Sequence, residues 1–482
     1  MTHRQENSSR PISRLFVANR GEIAVRIVRA CRSLGIGVVA GVSEADAEAL
    51  APRLADAAEI IGPAPAQESY LHVERVIAAA LRSGCDALHP GYGFLSERAS
   101  FAAACAEAGL IFVGPSPSAI EQMGDKITAV RLAEAAGVPR VPGSGALDSH
   151  EEAAALAERI GYPVLLKATA GGGGRGMRIV REPSELAAAM ESASNEARAA
   201  FGDGTLYLEK FIERARHIEI QVMGDRFGTV VHLGERECST QRRHQKLIEE
   251  SPSPAMTPAL RAEMGRCAVQ LALNVDYVGA GTVEFVLDDT SGTFYFLEMN
   301  TRIQVEHPVT ECVTGFDLVS EQIRVAQGLR LSFSQRDVRL NGHAIECRIN
   351  AEDPNRNFLP NPGTISAWDA PDGTGVRLDT HCFAGYAVSP YYDSLLGKLI
   401  VHGATRSEAI ARMRAALDAF HVEGIPTTLP FHREVLDAPA FLEGNVTTRW
   451  VEETYLPERK ARQRAAAGAG SMAKTQNEER RA

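Results

Sequence analysis

Residues 14–40, RLFVANRGEIAVRIVRACRSLGIGVVA, decide the fold of the first part of the chain. An apolar run is followed by the tight turn NRGE, by a segment with helical periodicity, and by a second apolar run. This order predicts a strand, a turn, an amphipathic helix and another strand. Repeated units of this kind are typical of a parallel α/β sheet.

The units that follow extend the same pattern. VERVIAAALRSG (73–84) predicts a helix, while CDALHP (85–90) and LIFVG (110–114) predict short buried strands. We therefore expect an open parallel α/β sheet over about residues 12–120. Its NRGE turn lacks the GxGxxG pattern, so we interpret this domain as scaffold and not as the nucleotide site.

Two further regions follow. In the first, about 140–215, Ser149 and Glu152 resemble a capping box, and Gly161 ends the helix that they begin. A strand, a glycine loop, a second strand and a helix over about 184–200 complete it. The second region, from HIEIQVMGD (217–225), is rich in strands. The polar residues 1–11 and 457–482 are expected to be disordered.

Composition narrows the class of protein. The chain has 482 residues, so we expect two to four domains at roughly 100–200 residues each. Its formal charge of −10 and its lack of a basic block argue against a nucleic-acid partner. Eight scattered cysteines fit a reducing compartment. Without a signal peptide or an apolar span, we expect a cytoplasmic protein with no membrane segment.

The glycine loop TAGGGGRGM (169–177) contains GxGxxG, but its context differs from that of a dinucleotide-binding loop. MRIVRE follows it and alternates like a strand, whereas the dinucleotide loop requires a helix there. The loop is therefore expected at the tip of a hairpin, where its backbone N–H groups can cover phosphates. Lys167, at the end of the preceding strand, suits the α- and β-phosphates. A merely flexible hairpin is the alternative.

Polar residues alternate in EMNTRIQVEHP (298–308), which predicts an extended strand with one polar face. Glu284 interrupts the apolar strand AGTVEFVLDD (280–289), and we expect it to meet Glu298 and Asn300 across a hairpin. Carboxylate and amide oxygens of this kind suit Mg²⁺ or Mn²⁺. A charged surface hairpin is the competing interpretation.

STQRRHQK (239–246) also alternates and is read as a strand. Arg242, His244 and Lys246 would then share one face, which makes an anion site. A basic surface strand remains the alternative.

Taken together, the motifs resemble those of biotin carboxylases, members of the ATP-grasp superfamily. The resemblance runs from about residue 14 to 456. It is carried by VANRGEIAVRI, HPGYGFLSE, MGDK, KATAGGGGRGM, RHIEIQV, ERECSTQRRHQK, EMNTRIQVEHPVTE, HAIECRINAEDP and PYYDSLLGKLI. It implies a multidomain α/β and α+β protein with an ATP-grasp fold. The implied domains are a Rossmann-like (pre-ATP-grasp) domain (12–120), an ATP-grasp domain (130–328) with a mobile lid (140–215), a C-terminal biotin carboxylase domain (342–456) and a disordered tail (457–482).

The resemblance also implies a role for individual residues. ATP would be held by Lys126, Lys167, Gly173, Gly174, Glu209, Lys210, Phe211, Ile212, His217, His244, Glu284 and Glu298. Two Mg²⁺ or Mn²⁺ ions would be held by Glu284, Glu298 and Asn300. Bicarbonate would be held by Lys246, Arg302, Gln304, Val305 and Glu306. Biotin would meet Arg348, with Tyr92, Gly93 and Phe94 as the wall of its pocket. The catalytic residues would be Lys246, Arg302, Glu306 and Arg348.

The implied reaction is ATP-dependent carboxylation of biotin through carboxyphosphate. The sequence has no AMKM-type attachment motif, so the biotin is expected on a separate carrier protein, with carboxyltransferase subunits as further partners and a homodimer as the assembly. Acetyl-CoA is the favoured final acceptor. A propionyl-CoA or other acyl-CoA carboxylase is the alternative, which Ala170, in place of a glycine, mildly encourages. Weaker rivals are another ATP-grasp ligase and a non-catalytic nucleotide-binding subunit.

Overall fold

The computed structural model describes residues 9–147, 149–168 and 177–465. The chain divides into two compact units. The first comprises Met1–Ala136, Arg216–Phe285 and Glu298–Ala482, and the second comprises Gly137–Ala215 and Val286–Leu297. Among the described helices, none combines the length and the apolar composition that a membrane crossing requires.

A parallel five-stranded sheet of order β3-β2-β1-β4-β5 opens the first unit, as the alternating units predicted. Its strands are β1 (Arg14–Val17), β2 (Gly37–Ser43), β3 (Ala57–Gly62), β4 (Ala87–His89) and β5 (Ile111–Phe112). The accompanying helices are α1 (Gly21–Ser33), α2 (Leu50–Leu54), α3 (Val73–Arg82), α4 (Ala99–Glu107), α5 (Pro117–Gly124) and α6 (Lys126–Ala135). Ile23 and Ile27 of α1 are fully buried in the core beside β1, which is why the helix pattern is amphipathic.

The second unit holds a three-stranded antiparallel sheet of order β7-β6-β8. Its elements are α7 (His150–Ile160), β6 (Val164–Ala168), β7 (Arg178–Val180), α8 (Leu186–Phe201) and β8 (Leu206–Lys210). Ser149 caps α7 by accepting a hydrogen bond from Glu152 N at 3.1 Å. Gly161 ends the helix with φ +79°, a conformation that glycine adopts without strain.

An eight-stranded sheet of order β13-β12-β9-β10-β11-β14-β21-β19 carries most of the remaining chain. Its strands are β9 (Ala215–Gly224), β10 (Val230–Arg242), β11 (Gln245–Ser251), β12 (Gly279–Asp288), β13 (Phe294–Asn300), β14 (His343–Asn350), β19 (Val376–Thr380) and β21 (Leu395–Gly403). The short strands are β15 (Glu352–Asp353), β16 (Leu359–Pro360), β17 (Gly363–Thr364), β18 (Ala367–Asp369), β20 (Ala387–Val388) and β22 (His421–Glu423). The helices are α9 (Pro258–Asn274), α10 (His307–Thr314), α11 (Leu318–Ala326), α12 (Arg406–Ala419), α13 (Leu429–Val435) and α14 (Pro439–Leu442).

Two predicted strands are wrong. β13 ends at Asn300, and the rest of the alternating segment is a loop that leads to Glu306, the N-cap of α10. β10 ends at Arg242, where Arg243 and His244 form an exposed turn with φ +48° and +64°. Two successive positive φ values are typical of a two-residue hairpin turn, so the basic segment is the hairpin of β10 and β11 and not one strand.

The predicted disorder of residues 457–482 is wrong for their first part, because 456–465 are helical. Arg459 in this helix is buried, and its Nε and Nη2 donate to the two carboxylate oxygens of Glu434 at 2.7 and 2.9 Å. Tyr455, just before it, is buried against Phe431 in the core. The polar composition of residues 457–482 gave no indication that Arg459 anchors this helix. Residues 466–482 lie outside the described residues. At the other end, Arg10 Nη2 donates to Gly109 O at 2.8 Å, so order begins before residue 12.

Candidate active site

One lysine binds three carboxylates at the centre of the first unit. Lys246 Nζ lies 2.5 Å from Glu219 Oε2, 3.0 Å from Glu284 Oε1 and 2.6 Å from Glu306 Oε1. The four residues come from β11, β9, β12 and the start of α10. Burial alone would lower the pKa of Lys246, but the surrounding carboxylates raise it well above its ordinary value. Lys246 is therefore a fixed cation.

Glu306 connects this lysine to the arginine that the sequence assigned to biotin. Its Oε1 accepts from Lys246 at 2.6 Å, and its Oε2 accepts from Arg348 Nη2 at 2.9 Å. Burial raises the pKa of Glu306, yet Lys246, Arg348 and Arg236 hold that pKa well below its ordinary value. The carboxylate is thus ionised in the resting site and shared between two cations.

Arg236 is fully buried beside the carboxylates that bind Lys246. Its Nε donates to Glu219, its Nη1 donates to Gln221 and Thr310, and its Nη2 donates to Thr282 and Gln304. Five hydrogen bonds satisfy all the donor directions of a guanidinium. Arg236 therefore fixes the positions of Glu219 and Gln304.

The predicted metal ligands lie close together in the described structure. Asn300 Nδ2 donates to Glu284 Oε1 at 3.1 Å, and His217 Nε2 lies 3.0 Å from Glu284 Oε2. Desolvation, together with the carboxylates of Glu284 and Glu97, raises the pKa of Glu298. Carboxylates that repel one another beside an amide oxygen fit a hard divalent cation, which would neutralise that charge.

A second group of potential ligand atoms involves nitrogen. Atoms of His217, Glu219 and Glu284 all lie within 4.8 Å of one another. Glu219 is already neutralised by Lys246 and Arg236. An imidazole is also a poorer ligand for Mg²⁺ than oxygen is, so Glu284, Glu298 and Asn300 remain the better set.

Arg302 is held in place by its neighbours. Its Nε donates to Glu97 Oε2 at 2.9 Å, and its Nη2 donates to Asn300 Oδ1 at 2.8 Å. Glu97 also accepts from the backbone N–H of Thr301 at 3.2 Å, which fixes the loop after β13.

The other two predicted bicarbonate residues of this loop also have partners. Gln304 Nε2 donates to Glu284 Oε1 at 2.8 Å, and Val305 O accepts from the buried Lys398 at 2.7 Å.

The residues predicted to line the biotin pocket differ in what they contact. The hydroxyl of Tyr92 donates a hydrogen bond to Glu22. The positive charge of Arg348 acts to lower the pKa of Tyr92. Burial, followed by the charge of Glu22, raises the pKa of Tyr92 well above its ordinary value. Phe94 instead stacks on Tyr70 with centroids 5.0 Å apart, and Gly93 is exposed.

The predicted nucleotide residues fall on both units. In the second unit, Lys167 Nζ lies 2.5 Å from Glu209 Oε2, and Lys210 Nζ donates to Gly161 O and Tyr162 O. Phe211 N donates to Pro163 O at 3.1 Å, while Ile212 is half-buried at the same end of β8. In the first unit, Lys126 is exposed at the start of α6, His217 contacts Glu284, and His244 is exposed in its turn. Gly173 and Gly174 lie outside the described residues.

Four residues of the cluster were not predicted. Glu97, Glu219, Arg236 and Glu249 all contact predicted site residues. Glu219 and Arg236 stand inside the quoted motifs RHIEIQV and ERECSTQRRHQK, where a charge within a strand was the available signal.

Three family models match successive parts of the chain. Residues 11–120 match the family described as biotin carboxylase, N-terminal domain. Residues 125–334 match the carbamoyl-phosphate synthase L chain, ATP binding domain, and 346–453 match the biotin carboxylase C-terminal domain.

Individual relatives cover nearly all of the chain. A biotin carboxylase from Nostoc sp. is 56% identical over 441 residues, which are 91% of this chain and 98% of that protein. A pyruvate carboxylase subunit from Methanothermobacter thermautotrophicus is 55% identical, over 92% of this chain and 90% of that protein. The biotin carboxylase domain dimer of the Hydrogenobacter thermophilus 2-oxoglutarate carboxylase, solved with MgADP, ADP and bicarbonate, aligns with TM-score 0.83 at 50% identity, over 92% and 97% of the two chains.

Proposed function

The chain belongs to the biotin carboxylase family and carries out ATP-dependent biotin carboxylation, and from this premise we propose how its residues divide the reaction. One observation carries the proposal: the carboxylate of Glu306 binds both Lys246 and Arg348. A single group thereby touches the lysine assigned to bicarbonate and the arginine assigned to biotin. In this proposal the two half-reactions share Glu306.

Bicarbonate binds among Lys246, Arg302, Gln304, Val305 and Glu306 in this proposal. Lys246 and Arg302 offer the positive charge that the anion requires, and Arg302 offers it in a planar, bidentate form. Arg302 is already oriented by Glu97 and Asn300, so little side-chain entropy is lost when bicarbonate binds.

Glu306 accepts the proton of bicarbonate. Its resting pKa is low because Lys246 and Arg348 neutralise it. When bicarbonate shares the charge of Lys246 and Arg302, that stabilisation weakens and the carboxylate becomes a better base. The freed bicarbonate oxygen attacks the γ-phosphorus of ATP, the bond to the β-phosphate oxygen breaks, and carboxyphosphate and ADP form.

The second half of the reaction takes place at Arg348. Carboxyphosphate splits into CO₂ and phosphate, and the phosphate removes the proton from the ureido nitrogen of biotin. Arg348 stabilises the negative charge that develops on the ureido oxygen, and the nitrogen then forms a bond to the carbon of CO₂. Tyr92, whose hydroxyl donates to Glu22, is proposed as a wall of the biotin pocket together with Gly93 and Phe94.

Nucleotide binding is proposed for residues of both units. These are Lys126, His217, His244, Glu284 and Glu298 of the first unit, and Lys167, Gly173, Gly174, Glu209, Lys210, Phe211 and Ile212 of the second. Glu284, Glu298 and Asn300 would hold Mg²⁺ or Mn²⁺, which supplies charge neutralisation for the phosphates when it is bound. Lys167 is paired with Glu209 in the described structure, so the nucleotide phosphates would compete with that carboxylate.

The acceptor of the carboxyl group is a separate question. We propose a carrier protein that brings biotin to this chain, and carboxyltransferase subunits that pass the carboxyl group to acetyl-CoA for malonyl-CoA and fatty acid synthesis. Propionyl-CoA or another acyl-CoA is the alternative. A relative named for pyruvate carboxylase has almost the same identity as one named biotin carboxylase, so similarity to these relatives does not distinguish between the acceptors. A cytoplasmic homodimer is the proposed assembly, by analogy with the dimer solved for the 2-oxoglutarate carboxylase domain.

The deciding experiment is ATP hydrolysis by the purified protein with Mg²⁺ and bicarbonate, with and without free biotin, while labelled bicarbonate is followed. We expect biotin to stimulate hydrolysis and the label to appear in carboxybiotin. A rate of ATP hydrolysis that biotin does not change would indicate a different ATP-grasp ligase. Nucleotide binding without hydrolysis would indicate a regulatory role in place of a catalytic one.

A further inference from the structure

Two buried glutamates face each other behind Arg348. Glu249 on β11 and Glu346 on β14 are register partners in the antiparallel pair of these strands, and both are fully buried. Side chains of directly opposed residues lie on the same face of a sheet, within about 5.5 Å at their Cβ atoms. Two carboxylates so close in a buried site are not both ionised, because their repulsion is weakly screened.

The two carboxylates differ in their partners. Glu249 Oε1 accepts from Arg348 Nε at 2.6 Å. Neither carboxylate oxygen of Glu346 hydrogen-bonds any residue that the structure describes. An ionised carboxylate without a donor is strongly destabilised by burial, so the negative charge of the pair belongs to Glu249.

The surrounding charges agree with that assignment. Burial raises the pKa of Glu346 well above its ordinary value, with Lys398 opposing and Glu249 reinforcing the rise. Burial also raises the pKa of Glu249, to about 7, although Arg348 opposes it. The charged and titratable groups that interact electrostatically with the pair lie on β10, β11, β14, β21 and on α10 or its N-cap. They are Cys238, Lys246, Glu306, Cys312, Cys347, Arg348 and Lys398. The helix α10, packed on this face, also carries His307 and Glu311.

Arg348 is thereby held at two of its nitrogens. Nε binds Glu249 and Nη2 binds Glu306, while Nη1 hydrogen-bonds none of the described residues. Its backbone carbonyl accepts from Thr428 and His432, which fixes the strand as well. A guanidinium fixed in this way presents its third nitrogen in a defined direction.

We propose that Glu249 is a positioning residue that orients Arg348 toward biotin, and that Glu346, held neutral opposite it, leaves Glu249 as the one anionic member of the pair. This inference rests on the proposed function of Arg348. When Glu306 takes up the bicarbonate proton, Arg348 loses one anionic partner. Glu249 remains, and Arg348 keeps the orientation that the second half of the reaction needs.

The test compares Glu249→Gln and Glu346→Gln with the wild-type protein, by biotin-dependent ATP hydrolysis as a function of pH. We expect E249Q to lower kcat/KM for biotin by about 10- to 100-fold, since a small misplacement of a catalytic group has effects of that size. The KM for ATP should not change. E346Q, which mimics a neutral acid, should stay within about twofold of the wild type.

The pH profile separates positioning from a structural effect. Glu249 is charged above its pKa, so in the wild type kcat/KM for biotin should fall as the pH drops below about 7, and E249Q should lack this component. Glu249→Asp keeps the charge with a shorter reach. It should retain the pH component and lose less activity than E249Q, which keeps the proposal testable if E249Q folds poorly.

Glu250→Gln is the matched control. Glu250 is the next residue of β11, and its buried carboxylate binds His343 and Arg406 instead of Arg348. E250Q should lower the melting temperature without changing KM for biotin. Wild-type biotin kinetics in E249Q, an effect confined to E346Q, or equal effects in all three Gln variants would overturn the proposal. A wild-type protein without biotin-dependent turnover would instead contradict the proposed function itself.

Discussion

At the scale of single residues, the site balances charge around Glu306. Lys246, Arg236 and Arg348 supply three cations, and Glu219, Glu284 and Glu306 surround the lysine. Each anion is in contact with a cation, so the buried cluster is stable without substrate. An incoming anion such as bicarbonate must compete for these cations, which is how binding changes the basicity of Glu306.

Glu306→Gln tests the base directly. The amide keeps the shape of the side chain but neither takes up a proton nor neutralises Lys246 and Arg348. We expect bicarbonate-dependent ATP hydrolysis to fall by about 10²-fold or more, as on loss of a preorganised charge partner. Steady-state hydrolysis at saturating ATP measures this. Near-normal turnover in a folded E306Q protein would remove Glu306 from the role of base.

Arg302→Lys tests whether planar recognition of the anion matters. Lysine keeps the charge but does not reproduce the simultaneous contacts of Arg302 with Glu97 and Asn300. Turnover should fall by about 10²-fold, with a raised KM for bicarbonate.

Arg261→Lys is the matched control for that experiment. It changes an Arg–Glu pair with Glu235, which contacts none of the predicted site residues among those described. Turnover in R261K should therefore equal that of the wild type. If R302K and R261K behaved alike, the effect would not come from recognition of the anion.

At the scale of elements, the sequence predicted which residues meet better than it predicted how. Alternation over 298–306 suggested a strand, and the structure instead has a strand end, a loop and a helix start. Asn300, Gln304 and Glu306 still reach the same cluster, because the loop folds back toward Glu284 and Lys246. In a loop, polar residues can alternate by chance, without the two-residue repeat of a strand. The spacing of the polar residues therefore did not distinguish a strand from a loop.

The residues that were missed stand in the interior of long strands. Arg236 and Glu219 are directly opposed on β10 and β9, and each neutralises the other out of reach of solvent. Burial of a charge depends on which strand lies opposite, and a single sequence does not contain that information. Glu249 was missed for the same reason, because its partner Arg348 is 99 residues away.

The helix 456–465 offers a test of element stability. Arg459→Ala removes two hydrogen bonds to Glu434, one to Asn355 and one to the backbone carbonyl of Pro354. Because charge-assisted bonds of a buried side chain are lost, we expect the free energy of unfolding to fall by about 2 kcal/mol. Denaturant titration measures the change.

Arg462→Ala is the control for the same helix. Arg462 is exposed, lies 3.8 Å from Glu458 and has its guanidinium 5.7 Å from the ring centroid of Tyr455. Its replacement should change the free energy of unfolding by less than about 1 kcal/mol. Equal effects of the two variants would show that Arg459 does not anchor the helix.

At the scale of the whole molecule, one sheet connects regions that the sequence separated. The ATP-grasp domain was predicted to end at 328 and the C-terminal domain to begin at 342, yet β14 pairs with β11 through four residue pairs. Glu249 and Arg348 meet across that pairing. The cluster around Glu306 therefore needs both predicted domains, which a boundary drawn from composition and motifs did not reveal.

Buried histidines make the stability of the folded molecule depend on pH. His89, His381 and His432 are buried in the first unit, and burial lowers their pKa values to about 3, about 3 and about 4. In the unfolded chain a histidine has a pKa of about 6.5, so below that pH the unfolded state binds protons at these positions. The folded state does not bind them until the pH is much lower. The contribution of these histidines to the free energy of unfolding is fully present above about pH 6.5 and decreases as the pH falls toward about 4. At about pH 5.5 the loss is about 1.4 kcal/mol per histidine.

His432→Gln isolates one of these contributions. The glutamine amide is able to replace the hydrogen bond from His432 Nε2 to Arg348 O, which is 2.6 Å long, but it does not titrate. The loss of unfolding free energy between about pH 7.5 and 5.5 should therefore shrink by about 1.4 kcal/mol in H432Q. His421 is exposed on β22, so H421Q is the matched control and should keep the full wild-type dependence. An unchanged slope in H432Q would mean that His432 is protonated in the folded protein, and its Nδ1, which has no hydrogen-bond partner among the described residues, would then need an acceptor.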